Sequence, residues 1–188
     1  MAASDLLLAF AVVFVAELGD KTQLAVALLA SRGRATGVVL GAWAAFAILT
    51  VLACTLGAAL AAYVPARLLR TAAGLLFLAM AALALRNKGD GGEAATPKAS
   101  FVGAFAAILL AEMGDKTQLA TATLAASGNA WLVGIGAFVA LALSALLAAL
   151  LGAKVLARLP PKALRWTAAT AFAVAGVALL VEAWLPRA

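Results

Sequence analysis

Glu17 and Asp20 recur as Glu112 and Asp115 inside two near-identical stretches, AELGDKTQLA (16–25) and AEMGDKTQLA (111–120), which differ at one position. Carboxylates three residues apart share a face of a helix, so each stretch presents a pair of hard oxygen ligands. Thr22, Gln23, Thr117 and Gln118 hold neutral oxygens in reserve, and Gly19 and Gly114 leave room for close packing or a kink. An all-oxygen set suits calcium, manganese or magnesium. Zinc and copper are disfavoured, because the chain has no histidine and its one cysteine, Cys54, lies outside the repeated stretches. Lys21 and Lys116 supply compensating charge: four carboxylates and two ammonium groups leave a formal −2, which one divalent cation or two protons neutralise. Proton and metal then compete for the same oxygens. A purely structural use also exists, since Glu17 with Lys21 and Glu112 with Lys116 have the favoured i, i+4 order of helix ion pairs. That use leaves Asp20 and Asp115 over, and buried pairs stabilise little once desolvation is counted.

The elements that hold these groups are apolar. The chain of 188 residues is 66% hydrophobic and 12% charged, far from a soluble composition. Six runs approach or exceed the roughly 20 residues that cross a bilayer: Leu6 to Ala30, Gly37 to Tyr63, Leu68 to Leu85, Phe101 to Ala126, Trp131 to Leu151 and Ala163 to Trp184. All five prolines lie between or beyond them, where the missing amide donor harms a helix least. The first run is no secretory signal, as it carries Glu17, Asp20 and Lys21 and lacks a basic flank. The net charge of +6 sits in short loops beside the runs, which argues for a lipid bilayer as partner and against nucleic acid. Cys54 is a packing residue by this reading. Both charged clusters fall at the centre of a run, at about 2.5–3.5 kcal/mol for each ionised side chain. Six such groups oppose insertion by roughly 15–20 kcal/mol, more than the net stability of a typical domain. A function must repay that cost.

The repeat extends beyond the decapeptides. At a constant offset of 95 positions (17 to 112, 20 to 115), Gly41 matches Gly136, Gly57 matches Gly152, Pro65 matches Pro160 and Phe77 matches Phe172. Each copy holds three runs, and an odd number threads the second copy from the opposite side of the membrane. The expected fold is an all-α integral membrane protein: six transmembrane helices in two inverted-topology three-helix repeats, residues 1–85 and 101–188, joined by a polar linker loop, 86–100. Inverted repeats characterise secondary transporters, with the substrate at the midplane between the copies. Loops after the first, third and fifth runs are basic, so the positive-inside rule places them in the cytoplasm and both termini outside. Trp131, Trp166, Trp184 and Tyr63 near run ends read as interfacial anchors, and Gly37 with Gly41, and Gly134 with Gly136, as close-packing sites. The first and fourth runs, 25 and 26 residues, would extend about 38 Å against a hydrocarbon core of roughly 30 Å. Tilt, a kink or local unwinding at Gly19 and Gly114 would each absorb the excess.

Two copies of Glu-x-Gly-Asp-Lys-Thr, at 17–22 and 112–117, resemble the signature of the Gdt-type family of divalent-cation/proton antiporters, which includes a Golgi manganese and calcium transporter of animals and bacterial manganese exporters. The resemblance covers nearly the whole chain. It implies that Glu17, Asp20, Glu112 and Asp115 bind the transported ion, that the ion is manganese or calcium, that manganese is exported, and that the protein sits in a bacterial inner membrane; no resident cofactor is implied. Other readings remain at this point: an exporter of a small cationic organic solute such as a basic amino acid, a cation channel, or an intramembrane aspartyl protease. The protease reading fits worst, since Glu17 and Glu112 stand where the first glycine of its Gly-x-Gly-Asp motif belongs.

Overall fold

The structure is a computed structural model that describes residues 2–86, 100–156 and 160–185. These residues form eight helices: α1 (Ala2–Glu17), α2 (Lys21–Arg32), α3 (Ala35–Tyr63), α4 (Ala66–Arg86), α5 (Phe101–Glu112), α6 (Lys116–Ser127), α7 (Ala130–Leu156) and α8 (Pro161–Trp184). The six apolar runs therefore become eight helices, because the first and fourth are each cut in two at the acidic motif. Four helical stretches are long and apolar enough to cross a membrane on their own: Ala35–Tyr63, Ala66–Arg86, Ala130–Gly152 and Trp166–Trp184. Helices α1 and α2, at about 24 Å and 18 Å, are each shorter than a hydrocarbon core of roughly 30 Å.

Local chemistry sets the boundaries. Pro65 separates α3 from α4, and Pro161 starts α8, where its fixed φ suits a first turn. The Ser100 hydroxyl accepts the Gly103 N–H at 3.1 Å and caps α5. The Asn129 side chain accepts the N–H groups of Trp131 and Leu132 at 3.1 and 3.2 Å to cap α7. Asp5, at the start of α1, in turn accepts the Asn129 N–H at 2.9 Å.

Contacts in one half recur in the other with the partners exchanged. Gly41 on α3 lies against the backbone of Phe101 and Phe105 on α5, and Gly136 on α7 lies against Leu6 and Phe10 on α1. Each pair of positions differs by the same 95 residues. Phe77 and Phe172, also 95 apart, meet each other with ring centroids 5.8 Å apart where α4 crosses α8. Glycine and alanine at these crossings let backbones approach, which is how helices associate where lipid supplies no hydrophobic contrast. One core, including Val13, Val26, Phe46, Ile108 and Leu141, fills the space among α1, α2, α3, α5 and α7. A second, including Val12, Phe77, Leu124 and Phe172, sits under α4 and α8. Large apolar side chains such as Val51, Leu56, Leu60 and Leu150 face outward, as a lipid-exposed surface requires. Tyr63, Trp131, Trp166 and Trp184 are exposed near helix ends, with Arg67 stacked 4.0 Å from the Trp184 ring centre.

Gly152 departs from the repeat. Its φ of 73° breaks α7, whereas its counterpart Gly57 continues α3 and packs on Ala122 and Ala125 of α6. The linker expected at 86–100 falls largely outside the described residues, as do Lys88, Lys98, Arg158 and Arg187.

Candidate ion site

Each acidic motif straddles a helix break. Helix α1 ends at Glu17 and α2 restarts at Lys21; α5 ends at Glu112 and α6 restarts at Lys116. The turns between them are alike. Asp20 N–H donates to Glu17 C=O and Asp115 N–H to Glu112 C=O, both at 3.1 Å. Gly19 and Gly114 adopt φ of 73° and 79°, the left-handed region that a side chain disfavours. The glutamine four residues on closes each turn: Gln23 Oε1 accepts the Gly19 N–H at 2.8 Å, and Gln118 Oε1 accepts the Gly114 N–H at 2.6 Å. Unwinding at the glycines is thus the way the long runs are accommodated. Nothing comes within 4 Å of where a Gly114 Cβ would stand, so its backbone conformation, not close packing, calls for glycine there. The glutamine carbonyls, expected as spare ligands, are occupied in bracing the backbone.

This geometry projects the glutamates from the C-terminal ends of α1 and α5 and places the aspartates at the N-terminal ends of α2 and α6. Glu17 and Glu112 are almost fully buried, at 1% and 2% exposure. Glu112 accepts two hydroxyls: Thr22 of the first half donates to Oε1, and Thr117 donates to Oε2 at 3.0 Å. Lys116 Nζ of the second half pairs with Asp20 Oδ2 of the first at 2.5 Å. The halves are therefore joined through the motif side chains. The i, i+4 pairing of Glu112 with Lys116 does not form, because the break at Gly114 removes the continuous helix that such a pair needs. The Lys21 side chain lies outside the described residues.

Two carboxylate oxygens, Glu17 Oε2 and Asp115 Oδ2, are buried without a hydrogen-bond partner among the described residues. Asp115 occupies the N-cap position of α6 but its side chain caps no N–H. Glu17 interacts electrostatically with Glu112, Asp20, Asp115 and Lys116, so the four acids form one interacting cluster. Among the described residues, no three of them stand as a ready-made metal-ligating group. Lys116 and the two threonines hold Asp20 and Glu112 in hydrogen bonds instead.

Two midspan hydroxyls escape a motif-based reading. Ser144 Oγ on α7 accepts from Gln23 Nε2 at 3.0 Å, steadying the brace of the first break, and Thr50 on α3 is buried beside the second. Their signal was their position: each is a hydroxyl near the centre of an apolar run.

An all-helical membrane protein with two matching halves, joined by buried carboxylates at paired helix breaks, has the layout of a secondary transporter. The sequence profile of the family described as "Divalent cation/proton antiporter GDT1" matches residues 5–91 and again 100–187, and the chain belongs to that family. Among its relatives is a protein of Vibrio cholerae named "Putative manganese exporter", 39% identical over 125 residues, which are 65% of this chain and 62% of that one. A GDT1-like protein of Synechocystis is 32% identical over 171 residues, 79% of this chain and 82% of that one. No solved structure matches the chain. The family is one of transporters, and the protease reading ends here.

Proposed function

We propose that the chain is a secondary transporter that exchanges a divalent cation, manganese or calcium, for protons, and that it exports manganese. The observation that carries this reading is the joining of the two acidic motifs across the halves, Thr22 to Glu112 and Lys116 to Asp20, together with two buried carboxylate oxygens, of Glu17 and Asp115, that have no hydrogen-bond partner among the described residues. Glu17, Asp20, Glu112 and Asp115 serve as the ion ligands, with Lys116 and Lys21 balancing charge and Thr22 and Thr117 adding oxygens. A cation entering the cluster draws Asp20 away from the Lys116 ammonium and gives the unpartnered oxygens of Glu17 and Asp115 a counter-charge. Protons on the same carboxylates serve the return step. Carbonyl groups at the C-terminal ends of α1 and α5 point their negative ends toward the same region. The name of the Vibrio relative supports manganese over calcium.

The same reading takes the chain as six membrane crossings, with α1–α2 and α5–α6 each one broken crossing, in two oppositely threaded halves on either side of the 86–100 linker. Contacts at the ends support it. The start of α1 meets the end of α6 through Asp5 and Asn129, and the start of α5 meets α3 just beyond the end of α2, where a Gly37 Cβ would lie 3.7 Å from Phe101 N. By the positive-inside rule the basic loops face the cytoplasm of a bacterial inner membrane and both termini face out.

The test is purified protein in liposomes with an internal pH dye. Manganese added outside is expected to drive proton release in fixed proportion to metal entry, with calcium as a competing arm. Metal entry without proton movement is the behaviour of a channel and refutes the exchange. In the same assay, Lys116→Met is expected to change the proton-to-metal ratio or the pH dependence while Lys116→Arg keeps both, because Met removes the charge that Lys116 holds against Asp20. An unchanged ratio and profile in Lys116→Met would reduce the lysine to a structural tie.

A further inference from the structure

A cavity of about 10 Å³ lies between α3, α6 and Glu112, lined by Thr50, Thr117, Gln118 and Thr121 with Leu49 among its apolar walls. Its size suits one water molecule. Two of its three threonine hydroxyls are committed: Thr117 donates to Glu112 Oε2 at 3.0 Å, and Thr121 donates to Thr117 C=O at 2.8 Å. The Thr50 hydroxyl is not. Thr50 is 6% exposed, and its Oγ1 has no hydrogen-bond partner among the described residues, not even the carbonyl one turn back. A buried hydroxyl in that condition is costly and calls for a ligand.

The repeat shows that this is particular to one half. The positions equivalent to Leu49 and Thr50 are Ser144 and Ala145. Ser144 closes onto Gln23 at 3.0 Å, so the first half meets its glutamine with a direct hydrogen bond. In the second half the hydroxyl has moved one residue along the helix, Leu49 offers Gln118 nothing polar, and the cavity takes the place of the bond.

We propose that Thr50 positions a single water against Glu112 in this cavity, and that this water completes the oxygen shell of the transported cation on the second half's side only. Hard divalent cations retain water when protein oxygens are too few, and among the described residues no three acids are grouped to supply a full shell. Thr50 is accordingly a positioning residue for the ion, acting through the water. The inference rests on the exchange reading above.

The experiment measures manganese–proton exchange in liposomes for the wild type, Thr50→Val and Thr50→Ser, with thermal unfolding of each in detergent. Valine keeps the shape and removes the hydroxyl. Thr50→Val is expected to raise the half-saturating manganese concentration about tenfold, the loss of one well-placed water contact, with the maximal rate little changed and thermal stability undiminished, since the deleted hydroxyl has no hydrogen-bond partner among the described residues. Thr50→Ser is expected to restore the wild-type value. An unchanged half-saturation in Thr50→Val, a Thr50→Ser that behaves like valine, or a loss that merely follows a fall in stability overturns the water subsite. A wild type that exchanges no metal for protons overturns both this and the exchange reading.

Discussion

Glu17→Gln and Glu112→Gln are each expected to lower metal-driven proton release at least about a hundredfold, above the 10–100-fold cost of losing a mere outer-shell partner. Glutamine keeps the shape of the side chain but has neither the charge that a divalent cation needs nor a proton to exchange. The two variants should separate in stability. Glu17 Oε2 has no hydrogen-bond partner among the described residues, and glutamine keeps the shape of the side chain, so Glu17→Gln is expected to melt close to the wild-type temperature. Glu112 accepts hydroxyls from Thr22 and Thr117, and an amide nitrogen facing one of them weakens that bond, at about 1 kcal/mol. Thermal unfolding beside the flux assay reads both quantities. Undiminished exchange in both variants would remove the glutamates from the ion path.

A large loss of stability is expected at Gly41 and Gly136. A Cβ at Gly41 would run into the Phe101 carbonyl, and one at Gly136 into the Leu6 carbonyl. Backbone cannot rotate aside as a side chain can, so α3 and α5, or α7 and α1, must separate. Overpacking of this kind costs about 1–3 kcal/mol even for modest insertions, and valine at either position is expected to abolish a monodisperse folded protein in detergent. Gly37→Ala is the control, since its Cβ would meet Phe101 N at 3.7 Å, an ordinary contact. Equal melting temperatures for Gly41→Ala and Gly37→Ala would contradict the account.

The repeat, the apolar runs and the four acids were legible because each leaves a mark in residue type: period, length, or charge at a place where charge is costly. The cut through the first and fourth runs was half legible. Their excess length and central glycine pointed to tilt, kink or unwinding alike, and only the left-handed φ at Gly19 and Gly114 distinguishes them. The bracing role of the glutamines was not legible, because an amide oxygen suits a cation and a free N–H equally well, and four-residue spacing across a break has no meaning in a continuous helix. Lys116 was read as balancing charge, with no particular carboxylate assigned to it. Its partner Asp20 is 96 positions away, a distance that local spacing cannot see. Thr50 and Ser144 carried no repeated pattern at all, since the hydroxyl shifts by one position between copies.

The Gln23 and Gln118 braces have a consequence for the energetics of uptake. With the glycine amides already satisfied from within the chain, the bend at each motif endures whether or not cargo is present. The cost of disrupting the helix is met once, during folding, and an arriving cation spends none of its affinity on reshaping the main chain.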